Sequence, residues 1–384
     1  MGPDGTGWDR MGEAWAATGQ STRYNTFKAQ GRSMDNTLYW SRRRLLKAGC
    51  LGLATGGLAA CGLGQPTAQV DANGLDRVKL GLGWRAEAEY GGYYQAAATG
   101  LYRDYGLAVT IDDTPPQTNT TQLLVGGAVD FSIGGALGSL KAVQQGIPVV
   151  TVAAICQKEI QVLLAHPGVG NDSLRQLRGK PIFISASANS GYWPVLKARY
   201  GFTDDQKRPY NFNITPFLAD KNSAQQGLLT SEPFLIERQG GFKPVILPLS
   251  EGGYNPYTFT IDTTRRLLDT NPDLVQRFVT ASIRGWYSYL ANPQPGNQAI
   301  RADNPDMSEE LLAFSLAKLD EYQVITGGDA SRMGIGAMTD QRWQSLFEEL
   351  RGVGVLDSQL DYQQAYTLDY INRGVEYYQL PQPA

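Results

Sequence analysis

The chain has 384 residues, of which 42% are hydrophobic and 18% charged, and a net charge of −3. That length suffices for two ordinary domains with sizeable cores, and the weak negative balance gives no global basic field of the kind that holds nucleic acid. The single histidine, His166, argues against a His-rich metal site and against a Ser-His-Asp hydrolase, so no metal or cofactor is expected.

The N-terminus reads as an address. Residues 1–33 show no apolar periodicity and are expected to be disordered or a misassigned start, with Met34 as the alternative beginning. Residues 34–60 carry Arg42, Arg43, Arg44 and Lys47, then a short Gly/Ala/Leu stretch that cannot span a bilayer, the pattern of a signal peptide. The paired arginines after Ser41 resemble a twin-arginine export signal, and Leu58-Ala59-Ala60-Cys61 resembles a lipobox, which makes Cys61 the expected lipidation site. Cys50 lies in the signal, so Cys156 alone remains for the mature domain; its apolar surroundings predict a buried structural thiol. Residues 61–76 are rich in Gly, Pro, Ala and Asn and read as a flexible tether.

A first unit is expected over 77–165. Val78, Leu80, Leu82 and Trp84 alternate as a strand, and a helix follows with Tyr94, Ala97, Ala98 and Leu101 at helical spacing. Gly91 and Gly92 stand at its start, where they suit a strand-to-helix corner at a cleft better than a plain helix. Next come a strand over 107–113, a helix through Leu123 and Leu124, and a strand ending in Gly134-Gly135 before a further helix. Apolar runs at 147–155 and 160–167 read as strands. The alternation indicates α/β architecture with largely parallel pairing.

A second unit is expected over 166–250. It has a short helix through Leu174 and Leu177, a strand at 181–186, and cap-type residues before a helix from Pro194. Residues 226–240 read as a helix-forming region interrupted by Pro233, and 242–249 as a strand. Residues 254–262 look like an extended return segment, and 251–384 then supply the hinge return and a helical part that packs back on the first unit. Trp286, Phe314 and Trp343 are expected in its core.

Five segments in this order resemble the bacterial solute-binding lipoproteins of ABC importers, in the branch that covers thiamine pyrimidine precursors, sulfonates, taurine and nitrate. They are residues 80–111 with Trp84 and the Gly-Tyr helix, Leu123–Gly135 with its Gly-x-x-Asp-Phe step, 142–154, 174–185, and 271–293. The resemblance implies a bilobal α/β periplasmic-binding-protein fold of the two-crossing type II kind. It also implies a monomer with a small-molecule ligand in the cleft, ABC permease and ATPase partners, and a periplasmic or cell-surface location on a lipid anchor. No nucleic acid is implied. Eukaryotic relatives of this branch are pyrimidine synthases that use an active-site histidine and a cysteine-rich motif; this chain has Tyr90 at the corresponding position and no cysteine cluster, which argues against an enzyme. A sensory role for the same fold stays open.

Ligands of open α/β sheets sit beyond the carboxyl ends of strands, near helix N-termini. Three places qualify: Trp84 to Tyr93, with Trp84, Glu89, Tyr90 and Tyr93; Gly134 and Gly135; and Ser187 to Trp193, with Asn189 and Tyr192. Glu232, before a proline, and Tyr254 and Asn255, where the chain recrosses, complete the candidate ligand-binding set. Only Arg85 is cationic in the three places, whereas an anion such as nitrate or a sulfonate needs fixed cationic donors. A flat nitrogen heterocycle held by stacking and by acceptor groups is therefore expected; the alternative, a sulfonate, taurine or nitrate, would rely on helix N-termini and Lys158 or Arg85.

Overall fold

The computed structural model describes residues 70–112 and 118–379. The expected export signal, Cys61 and most of the expected tether lie outside the described residues. Two five-stranded sheets form the two lobes. The first has the order β2-β1-β3-β10-β4, built from β1 (Asp76–Gly81), β2 (Leu107–Asp112), β3 (Phe131–Gly135), β4 (Val149–Cys156) and β10 (Thr258–Thr264). The second has the order β7-β6-β8-β5-β9, built from β5 (Gln161–Ala165), β6 (Ile182–Ile184), β7 (Lys207–Pro209), β8 (Ala224–Leu228) and β9 (Val245–Pro248).

The pairing is more mixed than the alternation of elements suggests. β1 runs parallel to β2 and β3, and β6 runs parallel to β7 and β8. The strands next to the crossings run against their neighbours: β10 is antiparallel to β3 and β4, and β5 to β8 and β9. A strand that enters a lobe from its partner arrives at the end where the parallel strands finish, so it must run backwards. Because β5 pairs only within the second sheet, the chain leaves the first lobe after Cys156, earlier than the boundary at 165 read from its apolar runs. The return crossing spans Leu249 to Tyr257, between β9 and β10.

β4 is buried at all eight residues although it ends its sheet's ladder. Its outer edge is covered by bridges from Thr151 to Tyr366 and from Ala154 to Gly336, so C-terminal chain occupies an edge that would otherwise be open to pairing. Cys156 is buried and free. The region 226–240 is not one interrupted helix. Gln226, Gly227 and Leu228 belong to β8, and Pro233 sits in the first turn of a helix from Glu232 to Gly240, where its missing N–H costs nothing.

Gly91 and Gly92 are not a corner device. The corner is the single 3-10 turn Ala88–Tyr90, and the glycines open the helix Gly91–Ala98. That helix lies against the long helix Pro272–Ala291, and a Cβ on Gly91 would stand 2.0 Å from the Tyr289 ring. A Cβ on Gly92 would stand 2.2 Å from Trp286, and one on Gly285 would stand 2.3 Å from the Gly92 carbonyl oxygen. Three glycines thus let two helices touch backbone to backbone.

The C-terminal helices meet both lobes. Trp286 and Trp343 are fully buried, as their spacing predicts. Phe314 instead faces Phe234 of the second lobe at a centroid distance of 5.4 Å.

Candidate functional site

The loop after β1 and the turn that follows it bring Trp84, Glu87, Glu89 and Tyr90 to the junction of the lobes. Trp84 is half-buried, and its indole N–H donates to Glu87 Oε1 at 3.1 Å. Opposite it stands Phe212 of the second lobe, with ring centroids 5.2 Å apart and planes tilted by 58°. Phe212 follows β7 with φ of 59°, a left-handed conformation that costs a non-glycine residue about 1–2 kcal/mol. Such strain persists only where the surroundings hold it. Tyr210 packs on Phe212 from the side, at 5.5 Å.

Three carboxyl groups lie beneath these rings. Glu89 is buried and accepts from the hydroxyl of Thr230 in the second lobe. Glu232, at the start of its helix, accepts from the Tyr210 hydroxyl at 3.0 Å, the Leu228 amide at 2.8 Å and the Ser231 hydroxyl at 2.6 Å. Burial and the adjacent Glu89 carboxylate push Glu87 up to about 8, against the pull of the Trp84 indole. Glu89 is raised as well, first by burial and less by Glu232, with the Thr230 hydroxyl opposing. Arg85, the cation of this stretch, is paired with Asp306 at 2.9 Å.

A second group lines the crossings. Glu159 is buried, which pushes it up to about 7 although the Gln161 and Ile160 amides stabilise its charge. Its amide donates to Asn255 Oδ1 at 2.9 Å, which ties one crossing to the other. Tyr192 donates to Gln226 Oε1 at 2.9 Å and meets Tyr254 edge to face at 6.2 Å. Tyr90 packs on Phe259 at 5.5 Å. Phe259 has φ of 49° and sits where β10 shifts register, so both strained phenylalanines lie against rings expected at the site.

The structure brings together Trp84, Glu89 and Glu232, and places Tyr90, Tyr192, Tyr254 and Asn255 around the crossings. Four expected residues stand elsewhere. Tyr93 is fully buried against Trp286, 6.0 Å away, because its helix position points into the contact with Pro272–Ala291. Asn189 is exposed and holds Lys207 at 2.9 Å, on the wall of a cavity of about 640 Å³ with Trp193, Lys197 and Val353. Gly134 and Gly135 extend β3 and pair with β10; a Cβ on Gly134 would stand 2.1 Å from Asp262 Oδ2, so its bareness serves packing on that buried acid. Sequence reasoning missed Glu159, Tyr210, Phe212 and Thr230. Among the described residues, no group of three or more His, Cys, Asp or Glu side chains is placed to hold a metal ion.

Two sheets joined by two crossings, with the candidate residues at the junction, define the periplasmic-binding-protein fold. The aliphatic sulphonate binding protein SsuA from Escherichia coli has the same fold, with a TM-score of 0.56 at 12% identity over 80% of this chain and 94% of that one. The NMT1/THI5 like family model matches residues 87–295, and the chain belongs to that family. The riboflavin-binding protein RibY of Chloroflexus aurantiacus is 28% identical over 311 residues, 78% of this chain and 87% of that protein. The 4-amino-5-hydroxymethyl-2-methylpyrimidine phosphate synthase THI11 of Saccharomyces cerevisiae is 25% identical over 108 residues, only 28% of this chain and 32% of the synthase.

Proposed function

We propose that this protein is the solute-binding component of an ABC importer, and that it closes its lobes on a small planar nitrogen heterocycle. The observation that carries the reading is the facing pair Trp84 and Phe212 above Glu87, Glu89 and Glu232. Rings from opposite lobes suit a flat ligand, since each contributes only when the lobes come together. A carboxyl oxygen accepts from ring N–H and amino donors, a protonated carboxyl also donates to ring nitrogens, and none of these groups supplies the positive charge that a sulfonate or nitrate needs. The similarity to RibY supports a flavin-type ring, and the family supports an aminopyrimidine; both are flat and carry N–H donors. A sulfonate ligand has support only from a shared fold, and the cation it would need at Arg85 is engaged with Asp306.

The mature chain would be held to the membrane by lipid on Cys61 and would present its closed form to a permease and its ATPase. A binding role rather than synthesis is supported by the match to a binding protein over 78% of this chain, whereas the match to the synthase covers only 28% of it. A thermal-shift screen tests the reading, because a ligand that binds the folded state raises its melting point. Riboflavin or 4-amino-5-hydroxymethyl-2-methylpyrimidine is expected to raise it. A rise with taurine or nitrate alone would overturn the ligand class.

A further inference from the structure

The helix Asp340–Gly352 touches the moving parts of the molecule at two points on one face. Arg342 and Glu349 are seven residues apart, two turns along the same side. At the first point, Arg342 Nη2 donates to the Gln157 carbonyl on one crossing and, at 3.3 Å, to the Asn255 carbonyl on the other. Its guanidinium lies 4.0 Å from the Tyr257 ring centroid, with Asp329 at 3.9 Å. At the second point, Glu349 accepts from Arg199 of the second lobe, at 2.6 Å from Nη2 and 3.1 Å from Nε. The Arg199 guanidinium reaches it by passing over Gly253 on the return crossing. A Cβ there would stand 2.5 Å from it, and φ of +91° already favours glycine. Glu349 is four-fifths buried, so this pair is less screened than an open surface pair.

We propose that the helix Asp340–Gly352 is a closing strut: Arg342 fastens it to both crossings, and the Arg199–Glu349 pair latches the second lobe against it only when the lobes are together. Arg342 holds chain that stays near the pivot in either state. Arg199 sits on the helix Trp193–Tyr200, which swings with its lobe, so the latch must break on opening. The pair therefore sets the closed-to-open ratio and through it the apparent affinity of the site. The strut rests on the two-lobed binding reading, yet its test needs no ligand, so the two fail separately.

The test is the interlobe distance in the ligand-free chain, read by double electron–electron resonance. Spin labels at Val125→Cys and Val169→Cys, both exposed and one on each lobe, report it, with Cys50 and Cys61 replaced by serine. Arg199→Ala and Glu349→Ala are expected to lower the closed-to-open ratio by about threefold, the size of a partly exposed ion pair. The reversed pair Arg199→Glu with Glu349→Arg is expected to restore much of it, and about 1 M salt is expected to shift the unsubstituted pair toward the longer distance. Unchanged distances in both single variants would overturn the latch, as would insensitivity of the unsubstituted pair to salt. The salt arm stands even if a variant folds poorly.

Discussion

Phe212 couples backbone strain to a ring that faces Trp84, and substitution separates the two. Phe212→Ala and Phe212→Gly both lose the ring, but only glycine relieves a φ of 59°. The glycine variant is therefore expected to be more stable than the alanine variant by about 1 kcal/mol in urea denaturation, and equal stabilities would show that the backbone there is unstrained. Trp84→Ala is expected to weaken heterocycle binding at least about tenfold, or 1.4 kcal/mol, with little change in melting point, because Trp84 is only half-buried. The carboxyl groups give a pH dependence. Glu87, Glu159 and Asp262 are raised from 4.5, 4.5 and 3.8 to about 8, 7 and 6, chiefly by burial. The folded chain thus binds more protons than the unfolded one across that span. Their stabilising contribution is complete below the ordinary carboxyl range and is lost as pH rises through the raised values. The melting point is expected to fall between pH 5 and 8.5, with a shallower fall in Glu87→Gln; a rising curve would contradict the buried carboxyls. Asp204, lowered by Lys197, Lys207 and Trp193, acts in the opposite sense and only at more acidic pH.

At the scale of elements, the two helices that meet at Gly91, Gly92 and Gly285 form the tightest joint of the first lobe. An alanine in a helix interior is ordinarily better than glycine by up to about 1 kcal/mol. Here the added methyl would overlap Trp286, Tyr289 or backbone, and overpacking of that kind costs about 1–3 kcal/mol or more. Gly285→Ala is expected to be the worst of the three, since its obstacle is the Gly92 carbonyl and cannot rotate away. Denaturant unfolding of the three alanine variants checks the order, and a stabilised Gly285→Ala would refute the close approach. These glycines were visible in the sequence, but their reason was not, because the obstacle lies almost 200 residues away. β8 was missed for a related cause: its Gln225 and Gln226 are polar, yet Gln226 is buried because it serves the Ser185 amide and the Tyr192 hydroxyl. Hydrophobic periodicity cannot register a strand whose buried side chains are amides.

For the whole molecule, most of the order of strands and helices, the return segment and the helical C-terminal part were legible, because each rests on local periodicity and caps. The bounds of the lobes were not, since β4 and β5 read alike as apolar runs and only pairing assigns them to different sheets. Part of the candidate site's grouping was legible too. Trp84, Glu89 and Glu232 stand beside recognisable glycines, tyrosines or a proline, whereas Phe212 and Tyr210 lie in a polar stretch without period. On the proposed reading, the lobe junction binds a flat nitrogen heterocycle against Trp84 and Phe212. Isothermal titration of the purified chain with riboflavin, 4-amino-5-hydroxymethyl-2-methylpyrimidine and taurine, repeated on Trp84→Ala, tests it most directly. Saturable binding of one of the heterocycles, weakened at least about tenfold by the substitution, is expected, with no binding of taurine. Tight binding of taurine with neither heterocycle bound, or heterocycle binding indifferent to Trp84, would contradict it.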